Sequence, residues 1–321
     1  MNRFTSRFAP KIEGMLEFRI ARGLKEKTHL TKLLLFDKFC AAYYPDSDEL
    51  TREIAYGWLD SETQRGCKYL THKAGTLRQF GLYLNSIGEN AFVLTESFKT
   101  TRNGTAPYIF SDSELTDLFA EIDKLSIIAS EPFLHVMAPV MFRLTYTCGL
   151  RPKEGRELLW ENINFDTGEI RIVNTKYKKE RLVVMGGDML SMCRQYDNQR
   201  KIFVGDNPYF FPAKDGGALA NEKIHVAFNR AWSAAACNLL NPMRNRVRVY
   251  DLRHRFASAR LNLWLDEGHD LMVMLPYLRA YMGHDKIEET AYYIHILPEN
   301  LTKSSAIDWN KFNDMFSEVG V

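Results

Sequence analysis

The stretch "NINFDTGEIRIVNTKYKKERLVVMG", residues 162–186, is where the sequence changes period. Upstream, apolar residues recur roughly every 3.6 positions; here Ile170 and Ile172 alternate with polar neighbours, and Leu182 and Val184 alternate again. Asp166-Thr167-Gly168 reads as the turn between two such runs. The stretch predicts an antiparallel sheet of about three strands set into a helical chain. The expected class is mainly α with a small antiparallel β-sheet (α+β).

Working outward, the segment before it, "PFLHVMAPVMFRLTYTCGL" (132–150), is apolar enough to be a buried helix, with Pro132 near its start and Gly149 at its end. Ser111 stands three residues before Glu114, a capping box that should open the preceding helix. Helical periodicity returns after the sheet through "NEKIHVAFNRAWSAAACNLL" and "DLRHRFASARLNLWL". Near the start of the chain, Phe36, Phe39, Cys40 and Tyr43, then Leu50, Ile54 and Trp58, then Leu77, Phe80, Leu84 and Ile87 mark a small helical bundle. Between bundle and capping box lies "SFKTTRNGTAPY" (97–108), polar and without periodicity, as an interdomain linker should be. The expected domains are 1–105, helical with its linker, and 106–321, with a tail in which Ile307, Trp309, Phe312, Phe316 and Val319 form one apolar stripe.

Composition narrows the class. With 45% hydrophobic and 26% charged residues, the 321-residue chain is globular rather than disordered, and long enough for two cores. No apolar run approaches the roughly 20 residues of a membrane span, and "MNRFTSRFAP" lacks the apolar core of a secretory signal, so a cytoplasmic protein is expected. Cys40, Cys67, Cys148, Cys193 and Cys237 form no CxxC motif and read as reduced, mostly buried thiols. The histidines lack metal-ligand spacing, and no metal site is expected. Net charge is +2, but residues 1–105 carry 16 Lys+Arg against 12 Asp+Glu, which leaves −2 for the remainder. A mildly basic first part suits a polyanion, and by itself suits an ordinary solvated surface better.

Three short segments bear chemistry. "CGLRPKEGREL" (148–158) puts Arg151 two residues after a helix-ending glycine. "YDLRHRFAS" (250–258) puts Arg253 and His254 near a helix start, where backbone N–H groups favour an anion. "MGHDKIEETAYY" (282–293) sets His284 ahead of Tyr292 and Tyr293. In this order they resemble the tyrosine recombinase (phage integrase) family. Its pattern is a "GLRxxEL" arginine, a β-hairpin lysine, an "HxLRH" box, an "LGH" box and a tyrosine nine residues beyond that last histidine, which here is Tyr293.

The resemblance implies a helical core-binding domain followed by an integrase-type catalytic domain, and an enzyme that cuts and rejoins DNA through a 3′-phosphotyrosyl intermediate with no metal or other cofactor. Tyr293 would be the nucleophile and Tyr292 its packing neighbour. Arg151 and Arg253 would grip the non-bridging oxygens, because a guanidinium matches phosphate with paired hydrogen bonds. His284 would donate a further hydrogen bond, and Lys176 would protonate the leaving 5′-oxygen, although Lys178 and Lys179 share its turn. Tyr250 stands where the family most often has histidine, and a phenol with pKa about 10 is a poor base at neutral pH. Glu154 and Asp251 read as supports, and His254 as a buried, hydrogen-bonded residue of its helix.

The implied partners are double-stranded DNA recombination sites, a homotetramer assembled on them through the carboxy-terminal tail, and accessory proteins that set direction. Arg65, Lys68 and His72 fall on one helical face with Lys73 beside it, either a phosphate-tracking surface or a solvated one. Two alternatives are a type IB topoisomerase, which reseals the same strand, and a non-catalytic DNA-binding relative, for which Tyr250 is the only support. A helical interaction module would leave the ordered Arg, Lys, Arg, His and Tyr unexplained.

Overall fold

The computed structural model describes residues 3–24, 27–61, 67–95, 107–173, 180–237 and 247–295. It divides into two compact units, Met1–Gly104 and Thr105–Val321.

The first unit holds α1 (Ala9–Ala21), α2 (Lys27–Tyr43), α3 (Arg52–Asp60) and α4 (Cys67–Ser86). Aromatic rings from all of its described parts meet at the centre: Phe36 lies 5.4 Å from Phe8, 5.2 Å from Trp58 and 5.8 Å from Phe80. The apolar positions named from periodicity are buried, apart from half-buried Phe39 and, at helix ends, exposed Tyr43 and Ile87. The loop before α1 is tied down by Asp37, whose carboxylate accepts from the Thr5 and Ser6 backbone N–H groups at 2.8 and 2.9 Å.

Lys73 corrects an expectation. It is fully buried, donates from Nζ to the Trp58 carbonyl at 2.5 Å and sits 4.3 Å above the Trp58 ring, so it belongs to the bundle core and not to a phosphate-tracking face. His72 beside it is exposed, while Arg65 and the side chain of Lys68 lie outside the described residues.

The second unit runs α5 (Asp112–Asp123), α6 (Leu134–Thr147), α7 (Pro152–Arg156), β1 (Glu169–Ile172), β2 (Arg181–Val184), α8 (Gly187–Val204), α9 (Asn221–Ala235), α10 (Val249–Asp266), α11 (Leu271–Met282) and α12 (Glu288–His295). The Ser111–Glu114 capping box opens α5, with Ser111 Oγ accepting from the Glu114 N–H at 3.2 Å and Glu114 Oε2 accepting from the Ser111 N–H at 2.8 Å. α6 is the central helix and packs against α5, α7, α8 and α10. Cys40, Cys148 and Cys193 are buried thiols, whereas Cys237 is exposed.

Among the described residues the sheet has two strands, extended by one isolated bridge between Ile163 and Ile170. β1 and β2 are antiparallel, pairing Ile170 with Val183 and Ile172 with Arg181. Directly opposed residues share a face, so buried Ile170 and Ile172 carry Val183 and Arg181 inward with them. Leu182 and Val184 consequently face outward, 52% and 51% exposed, opposite to what their alternation suggested.

Two left-handed glycines aim the segments that bear Arg151 and His284. Gly149, φ 60°, ends α6 and swings the chain into Arg151; Gly283, φ 64°, ends α11 and leads into His284. A Cβ on Gly149 would lie 2.5 Å from Phe256 Cδ1, in a ring stacked on Tyr281 with centroids 5.6 Å apart. Gly149→Ala should therefore cost the second unit about 1–2 kcal/mol from backbone conformation alone, with the Phe256 clash added. Urea unfolding of the variant beside wild type checks this, and an unchanged midpoint would refute it.

Candidate active site

Arg151 is the N-cap of α7, one turn before Glu154. Its backbone N–H donates to Glu154 Oε2 at 2.8 Å and its Nη1 to Oε1 at 2.8 Å, while Nη2 reaches the Gly283 carbonyl at 2.6 Å. Arg181 enters from β2 and clasps the same carboxylate, Nη1 to Oε1 at 2.9 Å and Nη2 to Oε2 at 2.7 Å, with Nε on the Tyr281 carbonyl at 2.8 Å. Burial alone would raise the Glu154 pKa. The Arg181 and Arg151 guanidiniums outweigh it and hold the carboxyl at about 2. Burial likewise opposes the Arg151 charge, yet Glu154 and Tyr250 raise its pKa on balance.

Arg253 projects from the first turns of α10 into the same place and is fully buried. Its Nη1 donates to the Gly149 carbonyl at 2.5 Å, and its Nη2 to the Met282 carbonyl at 2.6 Å and to His284 Nε2 at 3.1 Å. Its Nε has no hydrogen-bond partner among the described residues. A guanidinium carries donors only, so His284 Nε2 must accept; the ring proton then sits on Nδ1 and is donated to Thr290 Oγ1 at 2.8 Å. The His284 pKa falls to about 3 through burial and then through Arg253, Arg151 and Arg181. The imidazole is thus neutral here and accepts from Arg253.

Tyr293 lies one helical turn beyond Thr290 on α12, only 2% exposed, its ring stacked on His284 with centroids 6.1 Å apart. Tyr292 points the other way, 42% exposed, and is not a core neighbour of it. The Tyr293 hydroxyl is 3.0 Å from His254 Nδ1. Burial raises the phenol's pKa, although the positive charges of Arg253 and Arg151 pull it back. Tyr250 packs edge-on against His254 at 4.9 Å. Asp251 is fully buried, caps α10 by accepting from the Arg248 N–H at 2.7 Å, and lies 3.9 Å from His254 Nε2.

The fold thus gathers Arg151, Arg253, His284 and Tyr250 around the Tyr293 phenol. Lys176, Lys178, Lys179 and the tail from 296 onward lie outside the described residues. Sequence reasoning missed Arg181, His254 as the partner of Tyr293, and Thr290. The signal for Arg181 was present: pairing Ile170 with Val183, rather than following the Leu182/Val184 alternation, turns Arg181 inward.

The profile of the phage integrase family matches residues 114–300, more than half of the chain. The chain belongs to the phage integrase family. Its relatives include y4rB of Sinorhizobium fredii, an inferred integrase/recombinase, 25% identical over 309 residues that cover 92% of this chain and 94% of the relative. The tyrosine recombinase XerD of Pseudomonas putida is 28% identical over 170 residues, 52% of each chain. In fold, this integrase-family chain is similar to the XerH site-specific recombinase solved with its difH substrate in a post-cleavage complex (TM-score 0.64, 17% identity, 89% of this chain and 80% of that one). It is also similar to the Tn1549 transposon integrase solved with a circular-intermediate DNA (TM-score 0.64, 14% identity, 88% and 94%). Among the described residues no helix is long and apolar enough to cross a membrane.

Because the Glu154 carboxyl is held at about 2 against an ordinary value of 4.5, its contribution to stability is complete above pH 4.5 and is lost as pH falls toward 2. Glu154→Gln should reduce the unfolding free energy at pH 7 by on the order of 3 kcal/mol. Denaturant titrations of wild type and variant from pH 7 downward should show that gap closing between those two pH values. A gap independent of pH would mean the ion pairs do not carry it.

Proposed function

We propose that this phage integrase family member, a DNA strand-transferase, is a site-specific recombinase that cuts and rejoins double-stranded DNA through a 3′-phosphotyrosyl link on Tyr293. The observation that supports this best is the buried Tyr293 hydroxyl, set within one shell of Arg253, His284 and His254, with Arg151 tied to the glycine beside His284. Attack on a phosphodiester builds negative charge on two non-bridging oxygens, and preorganised guanidiniums stabilise that charge without reorganising. The unpartnered Arg253 Nε–H is a buried donor ready for an acceptor. The partly exposed Arg151 supplies the second cation. Lys176 is assigned the proton for the leaving 5′-oxygen.

In this reading residues 1–105 clamp the DNA as a helical core-binding domain and residues 106–321 cleave it. The strand is passed to a partner's 5′-hydroxyl within a tetramer joined through the tails, and accessory proteins set whether an element is integrated, excised or transposed. The topoisomerase alternative is not favoured, since the relatives are an inferred integrase/recombinase, y4rB, and the tyrosine recombinase XerD. Nor is the non-catalytic alternative, since one substituted position, Tyr250, is its whole support.

The test is trapping of the covalent intermediate. A half-site selected for binding from random-sequence duplexes, nicked next to the scissile phosphate, is incubated with wild type, Tyr293→Phe and Tyr292→Phe, and adducts are resolved on a denaturing gel. Wild type and Tyr292→Phe should form the adduct and Tyr293→Phe should not, while Arg151→Ala should slow it by on the order of a hundredfold or more. Tight binding by wild type without any adduct would overturn the reading.

A further inference from the structure

Neither His284 nor Tyr250 is placed to take the proton that Tyr293 must lose. The His284 Nε2 lone pair is occupied by Arg253, and its Nδ1 carries the proton given to Thr290. Tyr250 is itself a phenol, no more basic than the group it would serve. His254 is placed to do so. Its Nδ1 is 3.0 Å from the Tyr293 hydroxyl, within the reach required of a general base, and its Nε2 is turned toward Asp251 Oδ1 at 3.9 Å. A neutral imidazole with its proton on the carboxylate side leaves the Nδ1 lone pair aimed at the phenol.

We propose that His254 is the general base of the strand-cleavage step and that Asp251 is its positioning residue. This rests on Tyr293 being the nucleophile. As the Tyr293 oxygen bonds to phosphorus, its O–H bond breaks and the proton passes to His254 Nδ1. The 5′-oxygen departs with its bonding pair and takes a proton from the general acid, the role assigned to Lys176. The imidazole gains the positive charge that the acid loses. In the rejoining step both protons return.

The groups that face His254 tune it. Burial lowers its pKa to about 4, Asp251 opposes this, and Arg248 and Arg253 add to it; Tyr250, Tyr293 and, more distantly, His284 complete the surroundings. The ring is therefore unprotonated at neutral pH and free to accept. A bound phosphate neutralises part of the arginine charge, which strengthens the base at the moment it is needed.

The experiment measures adduct formation by the full chain against pH, on the selected half-site with sulfur replacing the bridging 5′-oxygen, so that the leaving group needs no proton. Wild type should be flat from about pH 5.5 to 8.5, since its base stays neutral there. His254→Asn places an oxygen near the Nδ1 position and so keeps an acceptor but cannot take the proton. At pH 7 it should be slower by about a hundredfold to ten-thousandfold. Its rate should then climb about tenfold per pH unit, because cleavage would await phenol ionisation by hydroxide. DNA affinity and melting temperature are measured alongside.

A His254→Asn rate that keeps the wild-type slope, or falls by less than about threefold, overturns the proposal while leaving Tyr293 as nucleophile. If the variant does not fold, the wild-type profile decides: a tenfold rise per unit across the whole range overturns it as well. Absence of any wild-type adduct overturns this proposal together with the recombinase reading.

Discussion

The Glu154 carboxylate is the interaction on which the site depends. One buried anion receives two guanidiniums and one backbone N–H, and each guanidinium has another nitrogen on a carbonyl near the end of α11. It therefore fixes α7, β2 and the turn before His284 relative to one another. Removing a partner from such a cluster is costly because the remaining charges stay buried without compensation. The carbonyls cross over between segments: the glycine two residues before Arg151 accepts from Arg253, and the glycine beside His284 accepts from Arg151. Each arginine is thus held by the backbone of another box, and both glycines have the backbone that allows the approach.

Three arginines against one carboxylate leave the pocket with excess positive charge. Burial first and then this charge keep His284 and His254 neutral, and the charge pulls the phenol of Tyr293 back from the high value that burial imposes. A site so charged is arranged for an anion that is still to come, and its cations already stand in fixed geometry.

Much of this was legible in the sequence, and the misses have physical reasons. The Ser111–Glu114 cap, the buried α6 and the antiparallel pairing of short strands are local patterns and were read correctly, although the described sheet has two strands where about three were expected. The inward face of β2 was not: two exposed aliphatic residues flank one buried valine, and burial is decided by the pairing with Ile170, which periodicity within one strand does not contain. Arg181 was lost with that face. Lys73 sat beside a plausible polar face, but its ammonium found the Trp58 ring and carbonyl, a tertiary partner 15 residues away. The His254–Tyr293 contact spans 39 residues, and no spacing rule joins an imidazole on one helix to a phenol on another.

The crossed carbonyls also bear on when the site comes into being. Residues 282–293 supply the Met282 and Gly283 carbonyls, His284, Thr290 and the phenol, and they are synthesised after Arg151, Glu154, Arg181, Arg253 and His254. Until that segment docks, Arg151 and Arg253 lack three of the acceptors that aim them, and the Tyr293 phenol is not in place. Contacts this distant along the chain form late in folding. A nascent or prematurely terminated chain would carry the cations without the proposed nucleophile, so a partly made protein could cling to a polyanion and, on the proposed function, could not cut it.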